Sequence, residues 1–298
     1  MLELQGLTKT FGGQTAVHNE TFSVAPGTIM GLIGQNGAGK TTTFRMILNF
    51  LHPDNGAVLW NGRPIANQDR AFIGYLPEER GLYPKMKVAD QIVFFAQLHG
   101  LSRADALSRL DEWMDRFQVK GKKTDKVKDL SKGNQQKIQL IATLIHMPKL
   151  LILDEPFSGL DPVNAGLLED GIRLLKENGS AIIFSSHDMS NVEEVSDHLV
   201  MLRNGETVLN GKVSEIRQQF GRTKVYLEQP PLSDAELEAF PGVAKVLQQG
   251  TRYTLTLSDP AAGRALFEAA TAKGYLPEFS QQPPTLDEIF KLKAGASA

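Results

Sequence analysis

From Leu2 to about Gly211, short apolar runs alternate with stretches of helical spacing. Thr28–Ile33 is an apolar run that stops at Gly34, and Thr41–Leu51 continues with apolar positions at helical intervals. Leu150–Leu153 and Ala181–Ser185 read as buried strands. Between them Leu167, Leu168, Ile172 and Leu175 recur at helical spacing and stop before Gly179. This strand–helix–strand order predicts an α/β domain around a largely parallel sheet. Leu199–Leu202 and Thr207–Leu209 flank Asn204-Gly205, a pair suited to a tight hairpin turn.

The pattern changes between about residues 84 and 147. Val88–Leu98 is helical, Ser102 caps a second helix through Leu107, Leu110 and Phe117, and Asn134–His146 forms a third. No strand is expected among them, so this stretch reads as a helical insertion. From about Thr223 the pattern shifts again. Thr223–Glu228 alternates as a strand and Asp234–Phe240 is a short helix. Val243–Gln248 and Tyr253–Leu257 form a strand pair around Gly250. Ala261–Lys273 is a helix, Tyr275–Phe279 a strand and Leu286–Leu292 a last helix. The order βαββαβ resembles a ferredoxin-like module. Residues 1–215 are thus expected to form one domain and residues 222–298 a smaller α+β accessory domain.

With 298 residues, 41% of them hydrophobic and 22% charged, the chain can bury a sizeable core in each domain. A formal net charge of -2 gives no reason to expect direct contact with nucleic acid. The chain has no cysteine, which excludes disulfides, thiolate metal sites and a cysteine nucleophile. The N-terminus lacks a basic stretch followed by an apolar run, and no segment has the ~18 or more apolar residues of a membrane span. The expectation is a cytoplasmic protein whose membrane role, if any, runs through a partner.

The strongest chemical signal is Gly34-Gln35-Asn36-Gly37-Ala38-Gly39-Lys40-Thr41, followed by Thr42. It fits G-x-x-x-x-G-K-[ST] and lies between an expected strand and an expected helix. Glycines let successive backbone N–H groups turn around a phosphate, and the following helix directs its N-terminus at the same anion. Lys40 adds a point charge, and Thr41 offers a hydroxyl to Mg²⁺, which takes oxygen ligands together with phosphate. The second signal is Leu150–Leu153 ending in Asp154-Glu155. Ligands of open α/β sheets bind at the carboxyl ends of strands. Asp154 is therefore placed for Mg²⁺, and Glu155, one residue further, for polarising an attacking water.

Leu130-Ser131-Lys132-Gly133-Asn134-Gln135-Gln136 opens a helix twenty residues before that strand. Together with the first two signals it resembles the ATP-binding-cassette family, whose signature at this place is Leu-Ser-Gly-Gly-Gln. Other motifs of the family follow in order. Ser158-Gly159-Leu160-Asp161 resembles its D-loop, and His187 in Ser185-Ser186-His187-Asp188 its switch histidine. Phe11 stands where the family stacks an aromatic ring on adenine, and Ile73-Gly74-Tyr75-Leu76-Pro77-Glu78 matches its Q-loop region. The resemblance covers about residues 1–220. It implies an ATPase using ATP and Mg²⁺, in which two subunits, alike or paired, sandwich nucleotide head to tail. Ser131 and Gly133 of one copy would contact the γ-phosphate held by Lys40 of the other. Glu155 would act as general base and His187 as γ-phosphate sensor. A separate integral membrane subunit would be driven from the cytoplasmic face.

Three positions depart from the family pattern. Glu78 replaces glutamine, and is either a charged ligand for Mg²⁺ or water, or a solvated loop acid. Lys132 replaces the first signature glycine and Asn134 the signature glutamine. The variants around Glu78 and Ser131, with the C-terminal module, resemble a bacterial export branch that includes sodium and drug exporters. Two alternatives stay open: a soluble cassette ATPase acting on a non-membrane partner, and an ATP-binding regulatory subunit. His18, His52, His99, His146 and His198 show no ligand spacing and read as surface or packing residues.

Overall fold

The computed structural model describes residues 1–79 and 81–294. The chain separates into two compact units, Met1–Gly211 and Lys212–Ala298.

The first unit opens with β1 (Leu2–Phe11) and β2 (Gln14–Val24), then β3 (Ile29–Ile33), α1 (Lys40–Ile47), β4 (Asn55–Trp60), β5 (Arg63–Pro64) and β6 (Ile73–Leu76). Three helices follow, α2 (Val88–Leu98), α3 (Arg103–Arg116) and α4 (Lys132–Leu144). The unit closes with β7 (Leu150–Leu153), α5 (Pro162–Glu177), β8 (Ala181–Ser186), α6 (Met189–Val195), β9 (His198–Arg203) and β10 (Glu206–Lys212). Strands β2-β1-β4-β5 form an antiparallel sheet, and β10-β9-β3-β8-β7-β6 a second sheet whose β3, β6, β7, β8 and β9 run parallel. One apolar core joins the sheets around α1. Phe44 and Ile47 of that helix pack with Leu4 and Trp60 of the antiparallel sheet and with Leu32, Ile152 and Ile183 of the parallel one. Burial on both faces explains why the parallel strands read as continuous apolar runs rather than alternating ones.

Parallel register brings the strand ends to one level: Leu76 lies beside Leu153, Leu153 beside Phe184, and Ile33 beside Ser186. The hairpin expected at Asn204-Gly205 is present, with φ of 51° and 80° at those residues. Its tip supports the loop after β3, because the Gly205 N–H donates to Ala38 O at 3.1 Å and Gly205 O accepts from the His18 N–H at 2.8 Å. α1 stops at Ile47, short of the expected Leu51. Asn49 takes φ 55°, and the N–H groups of Phe50 and Leu51 fold back onto Arg45 O at 2.9 and 3.1 Å. α4 starts two residues earlier than expected, because Ser131 rather than Gly133 is its N-cap.

The second unit comprises α7 (Val213–Gln219), β11 (Lys224–Glu228), α8 (Asp234–Glu238), β12 (Val243–Gln249), β13 (Arg252–Leu257), α9 (Ala262–Lys273), β14 (Glu278–Gln282) and α10 (Leu286–Ala294). Its sheet is antiparallel in the order β12-β13-β11-β14, as a ferredoxin-like βαββαβ chain requires. Val225, Leu227, Leu255 and Leu257 of the sheet pack on Leu237, Leu266 and Ala270 of the helices. The last strand lies three residues later than expected. Phe279 pairs with Leu227 and packs edge-on against Phe267 at 5.1 Å, whereas Tyr275 is 85% exposed. The register follows the half-buried Phe279 ring, and Pro277, which has no N–H for the ladder, stays outside the strand.

Candidate active site

The loop from Gly34 to Gly39 joins β3 to α1 and has little room. A Cβ at Gly34 would sit 2.6 Å from Leu202 O, so only glycine fits between the loop and the neighbouring strand. Gly39 takes φ 113° as the N-cap of α1, and a Cβ there would lie 2.7 Å from Ala16 O. Lys40 is buried, and its Nζ donates to Gly34 O at 2.7 Å and Gln35 O at 3.4 Å. The ammonium is thus held at the loop it serves. Beside it opens a cleft of about 570 Å³. Ala16, the loop from Gln35 to Thr42, Glu78, Asp154, Glu155 and His187 line it.

The ends of β7 and β8 supply the polar groups of the cleft wall. Asp154 is buried, and its Oδ2 accepts from Thr41 Oγ1 at 3.2 Å. Its Oδ1 accepts from Ser185 Oγ at 2.6 Å, and the same hydroxyl oxygen accepts from the Glu155 N–H at 2.8 Å. Glu155 has φ 49°, a left-handed backbone uncommon outside glycine, which turns its side chain into the cleft. One carboxylate oxygen lies 2.8 Å from His187 Nδ1 and the other 3.9 Å from Lys40 Nζ. A carboxylate so held can accept a proton from a water, with a cation beside it and an imidazole fixing its orientation.

The residues fit a divalent cation of the magnesium type. Thr41 and Asp154 line the cleft with hard oxygens that lie 3.2 Å apart. No group of three or more acidic or imidazole side chains able to hold a metal occurs among the described residues. One carboxylate, one hydroxyl, and otherwise phosphate oxygens and water is the ligand set magnesium ordinarily takes.

The cleft gathers Lys40, Thr41, Glu78, Asp154, Glu155 and His187, all singled out in the sequence. It does not gather Phe11, Ser131 or Gly133. Phe11 is 49% exposed at the end of β1, with Lys9 Nζ 5.7 Å from its ring centre. Ser131 caps α4 and accepts from the Asn134 N–H. Sequence reasoning overlooks Ser185. Its signal is present, because it follows an apolar run parallel to the one that ends at Asp154. It also overlooks Glu20 on β2, whose Oε2 accepts from Thr43 Oγ1 of α1 at 2.7 Å while Oε1 has no partner. Burial pushes that carboxyl up to about 7. Among the histidines set aside, His99 and His146 stack at 3.8 Å, and burial pushes His146 down to about 3.

The chain matches two family models. Residues 17–158 match the ABC transporter model, and residues 211–294 match the ATP-binding protein DrrA1-3-like C-terminal domain. It is 43% identical over 299 residues to the ABC transporter ATP-binding protein YhaQ of Bacillus subtilis, covering 99% of each chain. It is 30% identical to the Nod factor export ATP-binding protein I of Burkholderia lata, over 97% of this chain and 95% of that one. A solved structure of an ATP-binding subunit of an ABC transporter superposes with a TM-score of 0.69 at 32% identity, covering 74% of this chain and 93% of that one. Family, fold and the phosphate-loop site agree, and the chain belongs to the ABC transporter ATP-binding proteins, as a subunit that binds and hydrolyses ATP.

Proposed function

We propose that this subunit powers an exporter, closing head to tail with a second cassette over ATP and driving a separate integral membrane subunit from the cytoplasmic face. The observation that carries the mechanism is the Glu155 carboxylate, set between His187 Nδ1 and Lys40 Nζ in the cleft. The loop from Gly34 to Thr42 cradles the phosphates with its backbone N–H groups, and Lys40 moves from the Gly34 and Gln35 carbonyls to the outer phosphate oxygens. Phe11, exposed beside the Gly12-Gly13 turn, offers its ring face to adenine. Thr41 and Asp154 would hold Mg²⁺, which would supply positive charge against the phosphate oxygens, and Glu78, which lines the same cleft, would join them. Glu155 accepts the proton of the attacking water, and His187 orients that carboxylate and meets the γ-phosphate.

Two-copy action is supported by the absence of Ser131 and Gly133 from the cleft lining. They serve a nucleotide held by another copy. No helix among the described residues is long and apolar enough to cross a membrane, which is consistent with a separate membrane subunit. Export is supported by the export function named for the Burkholderia lata relative. Coupling runs through the helical region near Glu78–Lys87. The test is capture of partners by tagged Glu155→Gln loaded with ATP in its native membranes. A polytopic membrane protein in equal amount is expected. Stoichiometric ribosomes or nucleic acid instead would overturn the transport reading and leave the ATP site standing.

A further inference from the structure

The loop that opens α4 contains a hydrogen-bond arrangement that the function above leaves unused. Ser131 Oγ accepts two hydrogen bonds, both from Asn134: from its backbone N–H at 3.3 Å and from Nδ2 at 2.9 Å. The amide is oriented from its other side, because Asn134 Oδ1 accepts from the Lys120 N–H at 2.9 Å and a backbone N–H can only donate. A serine hydroxyl has one hydrogen and two lone pairs. With both lone pairs occupied, its hydrogen points away from Asn134. Ser131 is exposed, and that hydrogen has no acceptor among the described residues.

The side-chain length at residue 134 matters. Asn134 is the third residue of α4, counted from the Ser131 cap. A glutamine at this position typically reaches back to the backbone N–H of the capping residue. Asparagine is one methylene shorter and reaches the cap hydroxyl instead. The family glutamine would leave the serine one lone pair and a free rotor, whereas Asn134 fills that lone pair.

We infer that Asn134 is a positioning residue that holds the Ser131 hydroxyl as an obligate hydrogen-bond donor, presented to the γ-phosphate oxygens of nucleotide bound by a second copy. This rests on the reading that Ser131 faces the partner's nucleotide. A phosphate offers only acceptors, so a hydroxyl already set as a donor loses no rotational freedom when the copies close.

The test uses full-length chain in the Glu155→Gln background, and measures by sedimentation the MgATP concentration that gives half-maximal dimer. A neutral hydrogen bond is worth about 1 kcal/mol, so Asn134→Ala should raise that concentration roughly fivefold or more. Ser131→Ala should raise it at least as much. The Ser131→Ala/Asn134→Ala double variant should be no worse than Ser131→Ala alone, because Asn134 acts through that hydroxyl. Asn134→Asp should be worse than Asn134→Ala, since a carboxylate turns the hydroxyl inward. Nucleotide affinity of the dilute monomer should not change in any of them. A normal Asn134→Ala beside an impaired Ser131→Ala overturns the inference alone, as does a double variant with additive losses. A Ser131→Ala that dimerises normally overturns the underlying reading of Ser131, and the inference with it.

Discussion

Glu155 occupies a left-handed backbone at φ 49°, a conformation that costs a non-glycine residue roughly 1–2 kcal/mol. The Ser185 hydroxyl offsets part of that cost by accepting the Glu155 N–H while donating to Asp154. Two variants separate chemistry from geometry here. Glu155→Gln keeps size and backbone but cannot take a proton, so turnover should fall ~10²–10⁴-fold with ATP binding retained. Steady-state hydrolysis together with a binding titration measures both. Ser185→Ala should leave binding of Mg²⁺-free nucleotide intact, slow turnover and raise the Mg²⁺ concentration for half-maximal activity. An unchanged Mg²⁺ dependence would count against a role in orienting Asp154. Glu20 makes a separate prediction about stability. Burial raises its carboxyl to about 7 from an ordinary 4.5, so the fold favours the protonated form. The folded chain retains that proton from about pH 4.5 to 7 while the unfolded chain loses it, so stability falls as pH rises through this window. The total loss is on the order of 3 kcal/mol, and it levels off above the folded value. Glu20→Gln should flatten this part of the curve when unfolding is followed by denaturant titration at several pH values.

Elements buried on both faces are the legible ones. β3, β7 and β8 stand out as apolar runs, and the turn chemistry of Asn204-Gly205 is enough to mark the β9–β10 hairpin. The antiparallel sheet of β1, β2, β4 and β5 is not legible in the sequence. β1 and β2 are half exposed and carry register shifts near Leu4, Leu7 and Lys9, which break the two-residue alternation that marks a strand. Element ends escape a reading of the sequence where a single residue decides them. Asn49 ends α1 by adopting φ 55°. Asparagine tolerates that region and β-branched residues do not. Asn49→Gly should therefore be near neutral in chemical denaturation, and Asn49→Val should cost about 1–2 kcal/mol. At the site, the phosphate loop and the Asp154-Glu155 pair are legible because contiguous residues carry them. Ser185 and Glu20 act through contacts between different elements, 31 and 23 residues from Asp154 and Thr43 along the chain.

For the whole molecule, the proposed function has one chain carrying both halves of a site without bringing them together. Lys40, Asp154, Glu155 and His187 line the cleft, and Ser131 and Gly133 do not. The Met1–Gly211 unit contains both sets of residues, and in the proposed function it is association of cassettes that completes the site. The most direct test is the rate of ATP hydrolysis per chain as the protein is diluted, with sedimentation run on the same samples. We predict that turnover per chain falls in step with the dimer fraction and reaches background where only monomer remains. Constant turnover per chain down to fully monomeric solutions would contradict a site completed by a second copy.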